Sequence, residues 1–187
     1  MLICIPLSPD LILNQDVVNS IMQQSIKINR NDIVEIRGGV NGKNLGAIQD
    51  GSKIKNIVIS RNLCLDRMCD QDFGVMVDND CLLLKKDSIE KGIDLLMQDR
   101  EIVAVAMKEY SDANADYLEG EHINMGCVIF PYSFHRLNIQ FRFDETTNRC
   151  ECGNLCDDIR ATGKRIRHLD NIKRIDDIHK HLFKEAA

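Results

Sequence analysis

Short apolar runs alternate with amphipathic segments along the first 107 residues of the chain. A short continuous apolar run predicts a buried strand, whereas apolar residues recurring about every three to four positions predict a helix. Strands are predicted at 2–6, 32–37, 73–77, 101–107, 125–130 and 165–169. Helices are predicted at 16–26, 60–69, 87–97, 131–137 and 154–162, with a charged terminal helix at 171–187. Because strands and helices alternate, the pattern predicts an α/β fold with a mostly parallel central sheet flanked by helices.

The second half of the chain is less regular than the first. Residues 109–124 are polar and acidic without clear periodicity, and residues 138–149 form another irregular stretch. Long irregular segments of this kind are often functional, so we expect substrate contacts there. The chain has 187 residues, without an internal repeat or a low-complexity linker. It is therefore predicted to form a single domain with a sizeable core.

Composition and charge exclude several classes of protein. The net charge of -5 argues against a general nucleic-acid binder. No apolar run approaches the length of a membrane span, so no transmembrane segment is expected. The first six residues lack a basic region and are interpreted as a strand rather than a signal peptide. Among the eight cysteines, Cys4, Cys81 and Cys127 lie in or beside apolar segments, which favours free thiols in a reducing, cytoplasmic environment.

The most informative stretch is 73–84, where an apolar run leads to two carboxylates and then becomes apolar again. Asp78 and Asp80 directly follow the predicted strand, at the edge of the sheet where ligands of open α/β folds bind. Residues two apart in an extended segment point to the same side. Two hard oxygen ligands on one side suit Mg²⁺ or Mn²⁺, which can in turn hold a diphosphate. The alternative is a solvated polar strand end, since two acids one residue apart are common.

Two nucleotide-binding motifs are absent from the glycine-containing loop at 38–44. A P-loop would require Gly at Arg37 and Ser or Thr at Asn44. The loop also lacks the glycine spacing of a dinucleotide-binding fold.

The cysteines at 150, 152 and 156 form a cluster that could pack in the core, bind zinc or act in redox chemistry. The spacing is wrong for a zinc knuckle, and Cys156 is predicted to lie on the buried face of a helix. A redox-active Cys152 would need an activating partner, and none is visible in the sequence.

Taken in order, these features resemble the GT-A glycosyltransferases, particularly family 2-like members. A first strand ending in Ile5-Pro6 is similar to the family's nucleotide-binding start. The Ser-Arg-Asn sequence at 60–62, followed by a helix and by Val-Asp-Asn-Asp at 77–80, resembles the family's Arg-Asn helix and its metal-binding Asp-x-Asp motif. That order and spacing are much more specific than the Asp-x-Asp motif alone.

The resemblance continues to about residue 169. Asn-Met-Gly-Cys at 124–127 resembles the family's glycine-containing acceptor-side segment. The segment at 150–156, followed by Gly-Lys-Arg at 163–165, resembles the family's Glu-Asp segment, its following helix and the turn into the last core strand. His168 falls where many GT-A enzymes carry a late metal-binding histidine.

The resemblance implies a metal-dependent hexosyltransferase that uses Mn²⁺ or Mg²⁺. It would move a sugar from a nucleotide sugar, with UDP the family-level expectation, to a hydroxyl on a glycan, protein or lipid. It divides the single GT-A domain of residues 1–187 into a donor-binding half at 1–107, an acceptor-side half at 108–170 and a tail helix. The implied metal ligands are Asp78, Asp80 and His168. The implied donor-binding residues are Pro6, Leu7, Ser8, Glu35, Arg37, Arg61, Asp78 and Asn79.

One departure from the family concerns the catalytic base. The family's Glu-Asp pair becomes Glu151-Cys152, and in inverting members the Asp is the usual base. Glu151 is our candidate catalytic residue because it lies beside a helix N-terminus, which favours its ionised form. Asp144 and Asp157 are alternatives, and a retaining mechanism would need no such base.

Arg61 and Asn62 also have a purely structural interpretation. Arg61 would be a solvated charge at a helix start, and Asn62 would cap that helix.

Three rival functions remain open from the sequence. A nucleotidyltransferase would also bind a nucleotide and a metal, but it normally has a basic glycine-rich loop after the first strand, where this chain has Leu-Ser-Pro-Asp at 7–10. A nucleotide-sugar-binding protein without catalysis is compatible with Cys152. A zinc-stabilised interaction module would use the cysteine cluster.

Overall fold

The computed structural model describes residues 1–7, 11–37, 52–109, 123, 125–143 and 150–174. The strands are β1 (Leu2–Leu7), β2 (Ile33–Arg37), β3 (Phe73–Val77), β4 (Cys81–Leu83), β5 (Ile102–Glu109), β6 (Cys127–Pro131) and β7 (Arg165–Arg174). The helices are α1 (Gln15–Met22), α2 (Ser52–Met68), α3 (Ser88–Gln98), α4 (Tyr132–His135) and α5 (Glu151–Ala161), with one 3-10 turn at Arg30–Asp32.

The described strands form one seven-stranded sheet in the order β2-β1-β3-β6-β5-β7-β4. Strand β1 pairs in parallel with both β2 and β3, and β5 pairs in parallel with β7. Strands β6 and β4 run against their neighbours. Five of the seven strands therefore share one direction, which confirms the predicted α/β class with a mostly parallel sheet.

Helices cover both faces of the sheet and define two apolar clusters. One cluster includes Val17 and Ile21 of α1 and Ile89 of α3. The other includes Leu65 of α2 and Leu155 of α5. Alternate residues of a strand point to opposite faces. Strand β1 accordingly sends Ile3 and Ile5 into the first cluster and Cys4 into the second.

Helix α2 lies directly against β3 at Gly74. A Cβ at this position would approach Met68 Cβ to 2.7 Å and Met68 Sδ to 2.5 Å, so only glycine fits without a shift of the helix. Glycine in a strand often marks such a close approach. The contact fixes how α2 runs beside β3, and with it the position of the α2 side chains that face the end of β3.

Helix α2 starts earlier than predicted, and this changes the interpretation of two residues. Its helical backbone begins at Ser52 rather than near Ser60. Residues 53–59 are rich in Ile and Val, whose β-branched side chains weaken intrinsic helix propensity, so the segment gave no clear helical signal. Arg61 and Asn62 therefore lie inside the helix. The prediction that Asn62 could cap a helix start is wrong.

The end of the chain also differs from the prediction. Helix α5 begins at Glu151, earlier than the predicted Asn154, with Cys150 as its N-cap. The predicted stop at Gly163 is confirmed, since this glycine has a φ of 76°. Residues 171–174 belong to β7, because they pair with β4, and not to the predicted tail helix. The rest of that predicted helix lies outside the described residues.

Candidate active site

The candidate site lies at the carboxyl edge of three adjacent parallel strands. Pro6 and Leu7 at the end of β1 lie opposite Ile36 and Arg37 at the end of β2. On the other side of β1, strand β3 ends at Val77 and is followed by the turn that carries Asp78 and Asp80, closed by a 3.0 Å bond from Cys81 N–H to the Asp78 carbonyl. The structure thus brings most of the predicted donor-binding residues to one edge of the sheet. Ser8 lies outside the described residues.

Arg61 is the central charged residue of this edge. It lies on the same stripe of α2 as the buried Cys64, Leu65 and Met68, so the helix directs it towards the sheet. Only 7% of the residue is exposed.

The guanidinium of Arg61 joins two carboxylates from distant parts of the chain. Its Nη2 donates to Asp78 Oδ1 and Oδ2 at 3.3 Å. Its Nη1 donates to Glu151 Oε1 in a short hydrogen bond. Residues 78 and 151 lie on the donor side and the acceptor side of the predicted division, so Arg61 links the two parts of the candidate site.

The charge state of Arg61 follows from these contacts. Burial alone would lower its pKa, but the neighbouring Asp78 and Glu151 carboxylates raise the pKa above its ordinary value. Arg61 therefore stays protonated at any physiological pH and compensates two buried or half-buried carboxylates. Asp78 is thereby held in place before any ligand arrives.

The segment around Phe141 covers Arg61. Asn62 accepts a 2.8 Å hydrogen bond from Phe141 N–H and donates a 2.9 Å bond to its carbonyl. The Phe141 ring lies 5.7 Å from the Arg61 guanidinium carbon, within the range of a cation–π contact. Asn62 thus fixes a backbone segment whose side chain shields the ion pairs from water, which strengthens them.

Glu151 is placed by the N-terminus of α5. It is the first residue of that helix, and Cys150 caps the helix by accepting a hydrogen bond from Gly153 N–H at 3.3 Å. Only 7% of Glu151 is exposed. Its side chain lies at the positive end of the helix dipole and contacts the Arg61 guanidinium. The alternative base Asp157 pairs with Arg160 on the outer side of α5, and Asp144 lies outside the described residues.

Asp80 provides a donor that fits a divalent cation. Its carboxylate is largely buried, with Oδ1 at 3.5 Å from the neighbouring Cys81 thiol. Among the described residues, no three His, Cys, Asp or Glu side chains form a group that could hold a metal ion, so Asp78, Asp80 and His168 do not come together as one site. His168 lies within β7, opposite Ala106. Mg²⁺-type ions need only one or two carboxylates when substrate phosphates supply further ligands, and Asp80 meets that requirement.

Asn79 has a role that the sequence did not reveal. Its Oδ1 accepts a 2.7 Å hydrogen bond from Asn14 N–H, and its Nδ2 donates a 3.0 Å bond to the Ile12 carbonyl. Asn14 in turn caps α1. The amide of Asn79 therefore fastens the segment after β1 to the turn that carries Asp78 and Asp80.

Replacing Asn79 with Ala is expected to lower the free energy of unfolding by about 1–3 kcal/mol, because the Asn14 N–H and the Ile12 carbonyl lose their partner. Urea denaturation followed by far-UV circular dichroism measures this change. Asn19→Ala, an exposed position on α1, is the matched control and should change stability by less than about 0.5 kcal/mol. Equal effects of the two substitutions would contradict the anchoring role.

A cavity of about 460 Å³ lies beside the edge strand β2, between this strand and α2. Two predicted donor-binding residues, Glu35 and Arg37, contribute to its lining and contact each other at 3.1 Å. Arg37 Nη1 also donates to the Leu11 carbonyl at 2.7 Å. The other lining residues are Ile36, Leu63, Asp66 and Arg67. The cavity is open to solvent, adjoins the carboxyl edge and has a mixed polar and apolar lining.

The cysteine cluster does not form a zinc site in the described structure. Cys156 is buried, and its sulfur accepts a hydrogen bond from Ile123 N–H at 3.0 Å. Cys150 and Cys152 instead contact each other, with their sulfur atoms 2.9 Å apart. Neither this contact nor the Arg61–Glu151 pair was predicted from the sequence. The available signal for the latter was a charged residue on the apolar stripe of α2.

The sequence was compared with protein-family models and with curated proteins, and neither comparison found a match. Solved structures do match. The mannosyltransferase PcManGT from Pyrobaculum calidifontis, in complex with GDP-Man and Mn²⁺, is 12% identical with a TM-score of 0.60 over 90% of this chain and 54% of its own. S. aureus TarS 1–349, in complex with UDP-GlcNAc, is 12% identical with a TM-score of 0.59 over 91% of this chain and 57% of its own.

A third similar structure belongs to another class. It is the CMP:2-keto-3-deoxy-manno-octonic acid synthetase in complex with CTP, 10% identical with a TM-score of 0.51 over 99% of this chain and 98% of its own. The chain spans just over half the length of the two glycosyltransferases above. At these identities the likeness shows the fold, which is that of GT-A-type glycosyltransferases, as the sequence predicted. The helices that the structure describes include none with the length and hydrophobicity of a membrane span.

Proposed function

We propose that the protein is a metal-dependent glycosyltransferase that takes a sugar from a nucleotide sugar and transfers it to a hydroxyl group. A UDP-linked hexose is the proposed donor, with Mn²⁺ or Mg²⁺ as cofactor and a glycan, protein or lipid as acceptor. The observation that carries the proposal is the Arg61 link between Asp78, at the end of β3, and Glu151, at the start of α5. It holds a donor-side and an acceptor-side carboxylate next to each other on a GT-A-type sheet.

The donor would lie along the carboxyl edge of β2, β1 and β3. The cavity beside β2 offers Glu35 and Arg37 to the nucleoside. The diphosphate would extend towards the turn at 78–80. Pro6 and Leu7 form the floor between these two points, because β1 lies between β2 and β3. PcManGT and TarS were solved with GDP-Man and UDP-GlcNAc, which supports a nucleotide sugar as the ligand class.

The chemistry follows from the charges at this edge. Cleavage of the anomeric bond leaves negative charge on the diphosphate, and a divalent cation held by Asp80 supplies positive charge there when bound. Asp78 is held by Arg61 and faces the same turn, where it would bind the donor or water around the cation. His168, in β7, is not placed in this proposed cation site, because among the described residues it does not come together with Asp78 and Asp80.

Glu151 is proposed to take the proton of the acceptor hydroxyl on its carboxylate oxygen. The Arg61 contact and the position at the start of α5 hold the carboxylate in place. Phe141 excludes water from this side of the Arg61 cluster. A base at this place supports transfer with inversion, and the same residues with water as acceptor would give slow donor hydrolysis.

A nucleotidyltransferase is the second candidate, supported by the match to the CMP-linked synthetase over nearly the full length of both chains. The chain lacks a basic glycine-rich loop directly after β1, which such enzymes normally have. This difference favours the glycosyltransferase, and the two functions predict different ligands.

The proposal is tested by calorimetric titration of UDP, GDP, CMP and CTP into the protein, with and without Mn²⁺. We expect Mn²⁺ to tighten the binding of UDP by at least about tenfold, since a cation held by Asp80 would supply positive charge to the diphosphate. The tightening should be lost in Asp80→Ala. Asp94→Ala, on α3 and away from the carboxyl edge, is the control and should leave it unchanged.

Each other outcome has a defined meaning. If Mn²⁺ tightens the binding of GDP instead of UDP, the glycosyltransferase proposal stands and the donor nucleotide is a guanosine diphosphate. Selective binding of CTP would favour the nucleotidyltransferase. If the protein binds none of the four nucleotides in the presence of Mn²⁺, both functions are ruled out.

A further inference from the structure

The thiols of Cys150 and Cys152 lie next to each other at the start of α5, with their sulfur atoms 2.9 Å apart. All eight cysteines lie among the described residues, and none of them forms a disulfide bond. A disulfide bond is about 2.05 Å long, so these two sulfurs are within 1 Å of bonding distance. Nothing in the proposed sugar transfer uses this pair. The Cys150–Cys152 pair is therefore a candidate for a second chemical function.

The two thiols differ in exposure. Cys150 is partly exposed and caps α5, at the positive end of the helix dipole. Cys152 is buried behind it. The hydrogen bond with Cys150, together with burial, raises the pKa of the Cys152 thiol. A partly exposed thiol at a helix N-terminus with a second thiol in contact matches the arrangement of attacking and resolving cysteines in redox-active pairs.

We propose that Cys150 and Cys152 form a redox-active dithiol that a peroxide oxidises to a disulfide. The Cys150 thiolate attacks one peroxide oxygen and becomes a sulfenic acid as the O–O bond breaks, and one water leaves after protonation. The Cys152 sulfur then gives up its proton to the leaving hydroxyl, attacks the sulfenic sulfur and forms the S–S bond, with release of a second water. Overall two thiols and one hydrogen peroxide give one disulfide and two waters, so atoms and electrons balance.

The disulfide would act on the candidate site because Glu151 is the residue between the two cysteines. Bond formation closes a small ring that contains the backbone of Glu151 and pulls the first turn of α5 inward. The carboxylate of Glu151 is held by the Arg61 guanidinium. Because Glu151 lies within the ring, closure shifts its backbone and is expected to weaken this ion pair. The effect on activity rests on the proposed function, whereas disulfide formation and loss of the ion pair do not.

Mass spectrometry tests the pair itself in the unmodified chain. Trypsin cleaves after Arg149 and Arg160, which releases one peptide containing Cys150, Cys152 and Cys156. After treatment with hydrogen peroxide, we expect this peptide to lose two hydrogens and to take up one alkyl group instead of three. The loss should persist in Cys156→Ser and disappear in Cys152→Ser. Cys69→Ser, which removes an exposed thiol elsewhere, is the control.

Two outcomes of this experiment would overturn the dithiol. One is a peptide that keeps three alkylatable thiols at peroxide levels that already oxidise Cys69. The other is a disulfide that is lost in Cys156→Ser, since it would join other partners.

A thermal cycle tests the coupling to Glu151. Oxidation of the wild type should lower Tm by about 5 °C or more, because a buried ion pair is broken. In Glu151→Gln the pair is already weakened, so oxidation should change Tm far less. Faster hydrogen exchange of the first turn of α5 in the oxidised wild type gives the same information without a variant. Equal shifts of Tm in both proteins, with unchanged exchange, would show that the disulfide leaves Glu151 in place.

An activity assay adds a third, separable result. Donor hydrolysis should fall about a hundredfold on oxidation and return with dithiothreitol, as expected for a displaced reacting group. If the disulfide forms and Tm falls but the reduced protein shows no hydrolysis or nucleotide binding, the proposed function fails and the dithiol stands.

Discussion

Replacement of Arg61 with Met is expected to lower the free energy of unfolding by about 3–5 kcal/mol. The substitution retains the volume of the side chain but leaves the carboxylates of Asp78 and Glu151 without their cation. In the native structure only 15% of the Asp78 side chain and 10% of the Glu151 side chain are exposed to solvent. In the unfolded chain water solvates both carboxylates. The substitution therefore raises the free energy of the native state and lowers the free energy of unfolding. Urea denaturation followed by far-UV circular dichroism measures it.

A surface ion pair provides the matched control for Arg61. Arg160 contacts Asp157 on α5 with 38% and 41% of the side chains exposed. Arg160→Met should change stability by less than about 1 kcal/mol, because exposed pairs are screened by water. A double variant, Arg61→Met with Glu151→Met, should recover part of the loss by removing one buried charge. If Arg61→Met were as mild as Arg160→Met, the cluster would not stabilise the fold.

Replacement of Glu151 with Gln is expected to lower the turnover of donor hydrolysis about 10²–10⁴-fold, since the amide cannot accept the proton of the attacking hydroxyl. Binding of the nucleotide should remain unchanged, because the donor contacts lie at the ends of β1, β2 and β3. Release of UDP from the nucleotide sugar measures the turnover, and calorimetry measures the binding. Glu151→Gln keeps a hydrogen-bond acceptor for Arg61, so both assays can be made on folded protein.

Asp157→Asn is the control for Glu151, since it removes a carboxylate from the same helix on its outer side. It should leave turnover within about twofold, as expected for a surface substitution. A drop in turnover for Asp157→Asn with none for Glu151→Gln would assign the base to Asp157. Full turnover in both variants would favour a retaining mechanism without a protein base.

The parts of the fold that the sequence predicts are those with local signals. The apolar run of β3 and the two carboxylates after it lie next to each other in the chain, so their position at the sheet edge could be predicted. Gly163 marks the end of α5 because a positive φ favours glycine. The sequence predicts only the second half of helix α2. Its first half contains a β-branched stretch whose helical state depends on tertiary structure.

The contacts of the candidate site could not be predicted because they are distant in sequence. Arg61 meets Glu151 across 90 positions, and Asn79 meets Ile12 across 67. No periodicity along the chain encodes such a pair. What the sequence does contain is the anomaly of Arg61 on an apolar helical stripe. A charge at such a position must find a partner on folding, and here that requirement identifies the centre of the site.

The pairing of β4 with β7 affects the order in which the protein can be assembled during synthesis. Strand β4 follows the Asp78–Asp80 turn directly, yet Cys81 pairs with Arg174 near the end of the described chain. A ribosome adds about 5–20 residues per second, so β4 waits for several seconds without its partner. Strands β1, β2, β3, β5 and β6 can pair during that interval, but the turn after β3 acquires its final support only when β7 has emerged. The candidate site is therefore completed last, after the sheet on which it stands.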